Sequence, residues 1–340
     1  MYHFKNDYSE GAHPAVLAAV AATNLEGNIG YGLDPHCEHA TAMIRKLCKT
    51  PKADVQFLMG GTQTNLVAVC AFLRPWEGII CCDTGHLNDH EGGAVEATGH
   101  KLLLVPNQDG KLTPDSIESI LEPFEHPHTV RPRLVYISDA TESGTVYTKA
   151  ELTAISKCCK KHQFLLFLDG ARLGAALASA GNDVTLADIA ALTDAFYIGG
   201  TKNGALLGEA LVIVNPALQE DFIRLKKQRG AVMAKGWVLG AEYEALFTDN
   251  LYFKIGAHED EMAQTLQTEL LKMGYTFMTH SPTNQIFPIV PKTLLPKLDK
   301  FCWYEEWCPW DETHIVIRFA ASFATTEQDV AGLLSELKKL

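Results

Sequence analysis

The chain has 340 residues, 47% of them hydrophobic and 21% charged, enough to bury a sizeable core as one large domain with a smaller one. Its 29 Lys and Arg face 41 Asp and Glu, a net charge of -12, which argues against a surface built to hold nucleic-acid phosphates or an anionic membrane. The nine cysteines are odd in number, include two adjacent pairs and form no Cys-x-x-Cys, so they read as thiols in a reducing cytosol.

Residues 1–11 carry charge and no apolar run, so a secretory signal is not expected, and the apolar stretch 15–22 is too short to span a membrane. Helices are predicted over 13–24 and 36–48. The β-leaning run 55–60 stops at a glycine pair, a helix follows over 64–73, and 78–82 is again a strand. After a His-rich turn, a small-residue helix is expected over 89–98, a strand over 101–105 and a helix over 113–124. The alternation continues with strand 132–138, helix 148–161, strand 164–169, helix 171–180 and strands 195–200 and 210–215. Apolar strands separated by helices indicate an α/β fold with a mainly parallel sheet covered on both faces. Helices over 216–228 and 235–273 lead into strand 285–290, helix 291–299, strand 314–320 and a last helix over 326–339. That final stretch suits a small α+β domain.

In such sheets ligands bind beyond the carboxyl ends of the strands. Gly60-Gly-Thr-Gln-Thr-Asn65 follows the first strand and opens a helix. Its free N–H groups and hydroxyls could hold a phosphate, although the same residues also read as a glycine turn with a threonine cap. Asp169 ends the run FLLFLD, where a buried carboxylate needs Arg172 or a ligand cation beside it, or else serves as a helix cap. Lys202 stands between two apolar strands in Gly199-Gly-Thr-Lys-Asn-Gly204; a confined lysine loses its proton readily and can attack a carbonyl, whereas a hairpin lysine would be solvated. His86 follows the strand 78–82. Its neighbours His90 and Glu91 do not match a zinc-protease spacing, so no metal is expected. Phosphate cradle, imidazole, carboxylate and lysine together match what pyridoxal phosphate demands.

These residues, with FKNDYSEGAHP (4–14), HLNDHEGGAVEATGH (86–100), LDGARL (168–173) and IRFAASFATTEQDV (317–330), carry a resemblance to the threonine aldolase family. The resemblance implies an aspartate-aminotransferase-like fold with a mainly parallel seven-stranded sheet. It also implies an N-terminal arm over 1–12, a large domain over 13–245 and a small domain over 246–340. Lys202 would then be the Schiff-base lysine, Asp169 the partner of the pyridine nitrogen and His86 the ring-stacking group. Gly61, Thr62 and Gln63 would bind phosphate. Arg172 would lie near the cofactor and the substrate carboxylate, with Arg318 the main carboxylate clamp and Asn6 a helper in place of the family's serine. His128 would face the β-hydroxyl, leaving His86, His128 or a water as the base. Tyr31, with Lys235 or Arg229, would complete a neighbour's site in a homo-oligomer, either a dimer or a dimer of dimers. The implied activity is cleavage of threonine or allo-threonine to glycine and an aldehyde. A β-eliminating lyase, or a binding protein that keeps the fold, is the rival reading.

Overall fold

The computed structural model describes residues 1–340 apart from Gln108 and Glu125. A seven-stranded sheet forms its centre, in the order Asp54–Met59, Gly208–Ile213, Ala195–Gly199, Leu165–Asp169, Arg131–Ser138, Glu77–Cys82 and Leu102–Val105. Only Gly208–Ile213 runs against the others. Successive residues of a strand face opposite sides, and both sides here are buried. Leu166 and Leu168 enter one hydrophobic cluster with Val135 and Ile137, while Leu165 and Phe167 enter another with Leu134 and Tyr136. This two-sided burial explains the near-continuous apolar strands.

Helix starts follow local chemistry. Thr148 and Glu151, Thr185 and Asp188, and Thr326 and Asp329 each form a reciprocal capping box. Several expected elements are shorter or broken. In place of one helix over 89–98, a single turn spans His86–Asp89 and a 3₁₀ turn spans Glu96–Thr98; Gly92 and Gly93 between them adopt left-handed backbone at φ 58° and 76°. The expected helix 235–273 divides into Trp237–Phe247 and Leu251–Lys272 where Asp249 and Asn250 turn left-handed, a conformation their short polar side chains tolerate. Helix 113–124 is likewise a short helix over Pro114–Glu118 and a 3₁₀ turn over Glu122–Phe124. Run 285–290 splits at Phe287 into Gln285–Ile286 and Pro288–Pro291.

The last third builds a second, antiparallel sheet around His314–Ala320, which pairs with Gln285–Ile286, Pro288–Pro291 and Glu305–Pro309. Its core includes Met262, Leu266, Ile286, Ile317 and Leu333, and Phe4 from the amino terminus joins it. Tyr2–His3 pairs in parallel with Cys302–Trp303, so the amino-terminal arm is stitched to this sheet. Residues 5–8 then cross towards the carboxyl ends of the large sheet, where Asp7 bonds to Arg172.

Candidate active site

Met59, Cys82, Ser138, Asp169 and Gly199 end strands that run in one direction, so the loops after them share one edge of the sheet. Asp169 is buried there and accepts four hydrogen bonds. The hydroxyls of Tyr136 and Tyr197 donate to its two oxygens, Asn65 Nδ2 donates to Oδ2 at 3.0 Å and Ala171 N to Oδ1 at 2.9 Å. Burial alone would push its pKa up; the nearby His86 and the bonds from Tyr136, Tyr197 and Asn65 outweigh that and hold it below the usual carboxylate value. Asp169 is therefore an ionised carboxylate with no cation bonded to it among the described residues.

Lys202 sits in the loop after Gly199, with Nζ 5.8 Å from the centre of the Tyr8 ring. Burial, reinforced by Arg172, depresses its pKa to about 8 against the pull of Asp7, Asp169 and Glu209. A free amine is thus accessible near neutral pH, as a nucleophilic lysine requires. Arg172 approaches the same place but is engaged: Nε and Nη2 donate to the two oxygens of Asp7 at 2.6 and 3.0 Å.

The helix Gly61–Phe72 begins at Gly60, whose φ of 74° suits glycine, and no side chain caps it. Gly60 N donates to Leu207 O at 3.1 Å, which sets this helix end beside the Lys202 loop. A Cβ on Gly61 would lie 3.0 Å from the Tyr197 hydroxyl that holds Asp169. Uncapped backbone N–H groups at a helix start fit a phosphate. Thr62 is exposed at this end, whereas the Gln63 side chain turns back and accepts from Met59 N at 3.0 Å. That bond uses the amide oxygen and leaves Gln63 its backbone N–H and its Nε2 hydrogens as donors. Ionised carboxylate, low-pKa lysine and open helix end fit pyridoxal phosphate.

His86 is held by Glu91, whose Oε1 accepts from Nδ1 at 2.9 Å. With the Glu91 oxygen as acceptor, Nδ1 carries the proton and Nε2 is left as the free nitrogen. Asn65 Nδ2 also donates to Glu91 Oε1 at 2.7 Å and so bridges Asp169 and Glu91. Glu142 Oε1 accepts from His86 N at 3.0 Å and Ser138 Oγ at 2.7 Å, and burial raises its pKa.

Arg318 is buried across the cleft on the second sheet. Nη1 donates to Gln285 Oε1 at 3.3 Å and Nη2 to Lys5 O at 3.1 Å, and its guanidinium carbon lies 5.1 Å from the Trp307 ring centre. Arg318 Nε and Gln285 Nε2 are both buried without a partner. Buried donors of this kind are costly unless something accepts from them, and an amino-acid carboxylate fits that need.

One expectation needs correction. His128 is exposed in the turn before Arg131–Ser138, the amino end of that strand, while Ser138 pairs with Asp169 at the other end. Seven strand rises put the two ends about 23 Å apart, so His128 cannot meet a substrate held at Lys202 of its own chain. Asn6 Oδ1 accepts from Tyr8 N and Ser9 Oγ at 3.0 and 2.9 Å, holding the turn of the arm and leaving the amide Nδ2 as the donor of its expected role; the arm meets Arg318 through the Lys5 carbonyl. Tyr31 is exposed, bonded through N to Ala234 O at 3.1 Å, with Lys227 Nζ 5.0 Å from its ring centre. It lies on the surface outside the cluster around Lys202 of its own chain, where a residue expected to serve a neighbouring subunit would stand. One group of metal-ligand type, Glu118 with Cys158 and His162, occurs among the described residues; its Glu118 Oε1 already accepts from Lys161 at 2.7 Å.

The residues Asp7, Asn65, Glu91, Glu142 and Gln285 were not singled out for the site from the sequence. Asn65 closes the GGTQTN motif and Asp7 precedes the tyrosine of the arm, but their partners are 104 and 165 residues away in the chain.

The beta-eliminating lyase family model matches residues 4–293. A low-specificity L-threonine aldolase of Pseudomonas aeruginosa is 36% identical over 84% of this chain and 83% of its own length. The chain belongs to the threonine aldolase family. A solved threonine aldolase of Leishmania major is 48% identical, with a TM-score of 0.98 over 100% of this chain and 99% of that one. Aspartate aminotransferase of Thermus thermophilus, 14% identical, shares the fold alone, with a TM-score of 0.73 over 100% of this chain and 91% of its own. For members of this family the cluster at the strand ends is the place to look for chemistry.

Proposed function

We propose that the chain is a pyridoxal-phosphate-dependent carbon–carbon lyase that cleaves L-threonine, L-allo-threonine and related β-hydroxy-α-amino acids to glycine and an aldehyde. The observation that carries this reading is the meeting of ionised Asp169, low-pKa Lys202 and the unpartnered donors of Arg318 and Gln285 in one cleft. Lys202 would hold the cofactor covalently, Asp169 its ring nitrogen, His86 a ring face, and the helix start at Gly61, Thr62 and Gln63 its phosphate. When bound, the cofactor supplies an electron sink for the pair released at Cα.

The chain's own residues do the rest. Arg318 and Gln285 take the substrate carboxylate and so limit its orientations, the service for which a rigid guanidinium is suited. Asp7 holds Arg172 beside Lys202; burial, with Arg172 adding to it, keeps the lysine pKa low enough for Nζ to give up and regain a proton near neutrality. Glu91 fixes the tautomer and the orientation of His86. Protein given L-threonine with added pyridoxal phosphate is expected to release acetaldehyde and glycine in equal amounts, and Lys202→Ala to lose that release. Release of a 2-oxo acid and ammonia from L-serine, with no glycine from threonine, would favour β-elimination instead.

We also infer a cytosolic homo-oligomer. All nine cysteines are free thiols, and no helix among the described residues is long and apolar enough to cross a membrane. Ile29 and Leu33, 80% and 70% exposed, flank Tyr31, an apolar patch suited to a second copy. Light scattering that returns a monomer at micromolar concentration would overturn this inference.

A further inference from the structure

His90 stands one helical turn after His86 and donates its backbone N–H to His86 O at 3.0 Å. Its ring centre is 5.5 Å from that of His86 and 6.4 Å from that of Trp307. Trp307 in turn covers the Arg318 guanidinium at 5.1 Å. The imidazole of His90 thus joins the loop that carries His86 to the sheet that carries Arg318, at the solvent edge of the cleft. No hydrogen bond engages either of its ring nitrogens among the described residues, whereas Nδ1 of His86 is committed to Glu91.

We propose that His90 is the second histidine of the site, the imidazole that takes the proton of the substrate's β-hydroxyl. This rests on the aldolase reading above. With the carboxylate on Arg318 and the amine at Lys202, the substrate side chain has the space between Arg318, Trp307 and His86, which His90 borders. In the step, the O–H electron pair forms the aldehyde carbonyl as the Cα–Cβ bond breaks. The hydroxyl proton passes to His90, and the Cα–Cβ pair remains with the glycine carbon. That carbon then takes up a proton, and His90 returns its own to solvent, so one proton moves in net from oxygen to Cα. His90 is suited to accept it: burial of the ring, then the charges of His86, Arg318 and Lys202, depress its pKa against the opposing pull of Asp89, so the neutral base prevails at neutral pH.

His90→Asn tests the assignment. Cofactor absorbance and binding of glycine should match the unsubstituted protein, since neither needs the β-hydroxyl. kcat for L-threonine should fall by roughly 10²- to 10⁴-fold, and the acidic limb of the pH–kcat/KM profile should shift or vanish. A readout independent of turnover is the NMR titration of the cofactor-free protein, in which the resonance lost in His90→Asn should titrate below the ordinary histidine value. Retention of rate and acidic limb in His90→Asn, while the unsubstituted protein cleaves threonine, would overturn the role of His90 and leave the aldolase reading standing. A titration at or above the ordinary value would also count against it. Absence of threonine cleavage in the unsubstituted protein would instead sink the reading on which it rests.

Discussion

Asp7, from the amino-terminal arm, meets Arg172, from the turn after the strand Leu165–Asp169, in a two-pronged ion pair 165 residues apart in sequence. Asn284, in the bend before the strand Gln285–Ile286, donates to the same carboxylate at 2.9 Å, so three separated segments meet on one side chain.

Removing Asp7 should be costly, because a buried guanidinium then stays unpaired. Asp7→Ala is expected to lower unfolding free energy in urea by about 3 to 5 kcal/mol. The pH sign follows from its depressed pKa. Burial would raise it, but Arg172 and Lys202 hold it far below its ordinary 3.8, so its contribution is complete above about pH 5 and fades as pH falls below 4. The Asp7→Ala protein should therefore show a flatter loss of stability in acid than the unsubstituted one, measured by denaturant midpoints without cofactor.

Lys202 behaves in the opposite sense. Its pKa falls from 10.5 to about 8 on folding, so burying the ammonium costs stability in full below pH 8 and the cost is relieved as pH rises towards 10.5. Lys202→Met should abolish threonine cleavage yet stabilise the cofactor-free protein at pH 7 by on the order of 1 to 3 kcal/mol. That gain should shrink at pH 10. A variant less stable than its parent at both pH values would show that the lysine is not under this strain.

The sheet was legible because its strands are buried on both faces: runs such as LLFLD need no periodicity to be seen, and the residues that end them were legible with it. Lys202, Asp169 and His86 each follow such a run. His128 misled because it is also a histidine close to an apolar strand, and only the strand's direction shows that it stands at the wrong end. The short strands Cys302–Trp303 and Glu305–Pro309 carry mixed polarity at an edge, where no sustained alternation forms. The polar web around Asp169 is assembled from Asn65, Glu91, Tyr136 and Tyr197, whose contact depends on the finished sheet.

Asn65 separates two carboxylates by donating to both, at 2.7 Å to Glu91 and 3.0 Å to Asp169. Asn65→Asp replaces that donor with a third buried acid. The variant is expected to lose more than about 3 kcal/mol of stability at pH 8. Its pKa in the folded protein would be raised, so the loss should be smaller at pH 5, where the added group takes up a proton, and grow as pH rises. Urea unfolding at both pH values checks the sign, and pyridoxal phosphate affinity should fall in parallel because Asp169 loses a stabilising bond.

Arg318 and Gln285 offer two buried donors, Nε and Nε2, that no group among the described residues accepts. If they serve the amino-acid carboxylate, their loss should be felt in substrate binding more than in cofactor binding. Arg318→Lys keeps the charge but gives up the planar fork and the contact with Trp307, and it should lower kcat/KM for L-threonine by about 10²-fold, mostly through KM. Gln285→Leu removes one donor and releases the Nη1 contact, so a smaller rise in KM, about tenfold, is expected. Cofactor absorbance should be unchanged in both. A fall confined to kcat, with KM preserved, would mean that these donors act on the bond-breaking step and not on carboxylate capture.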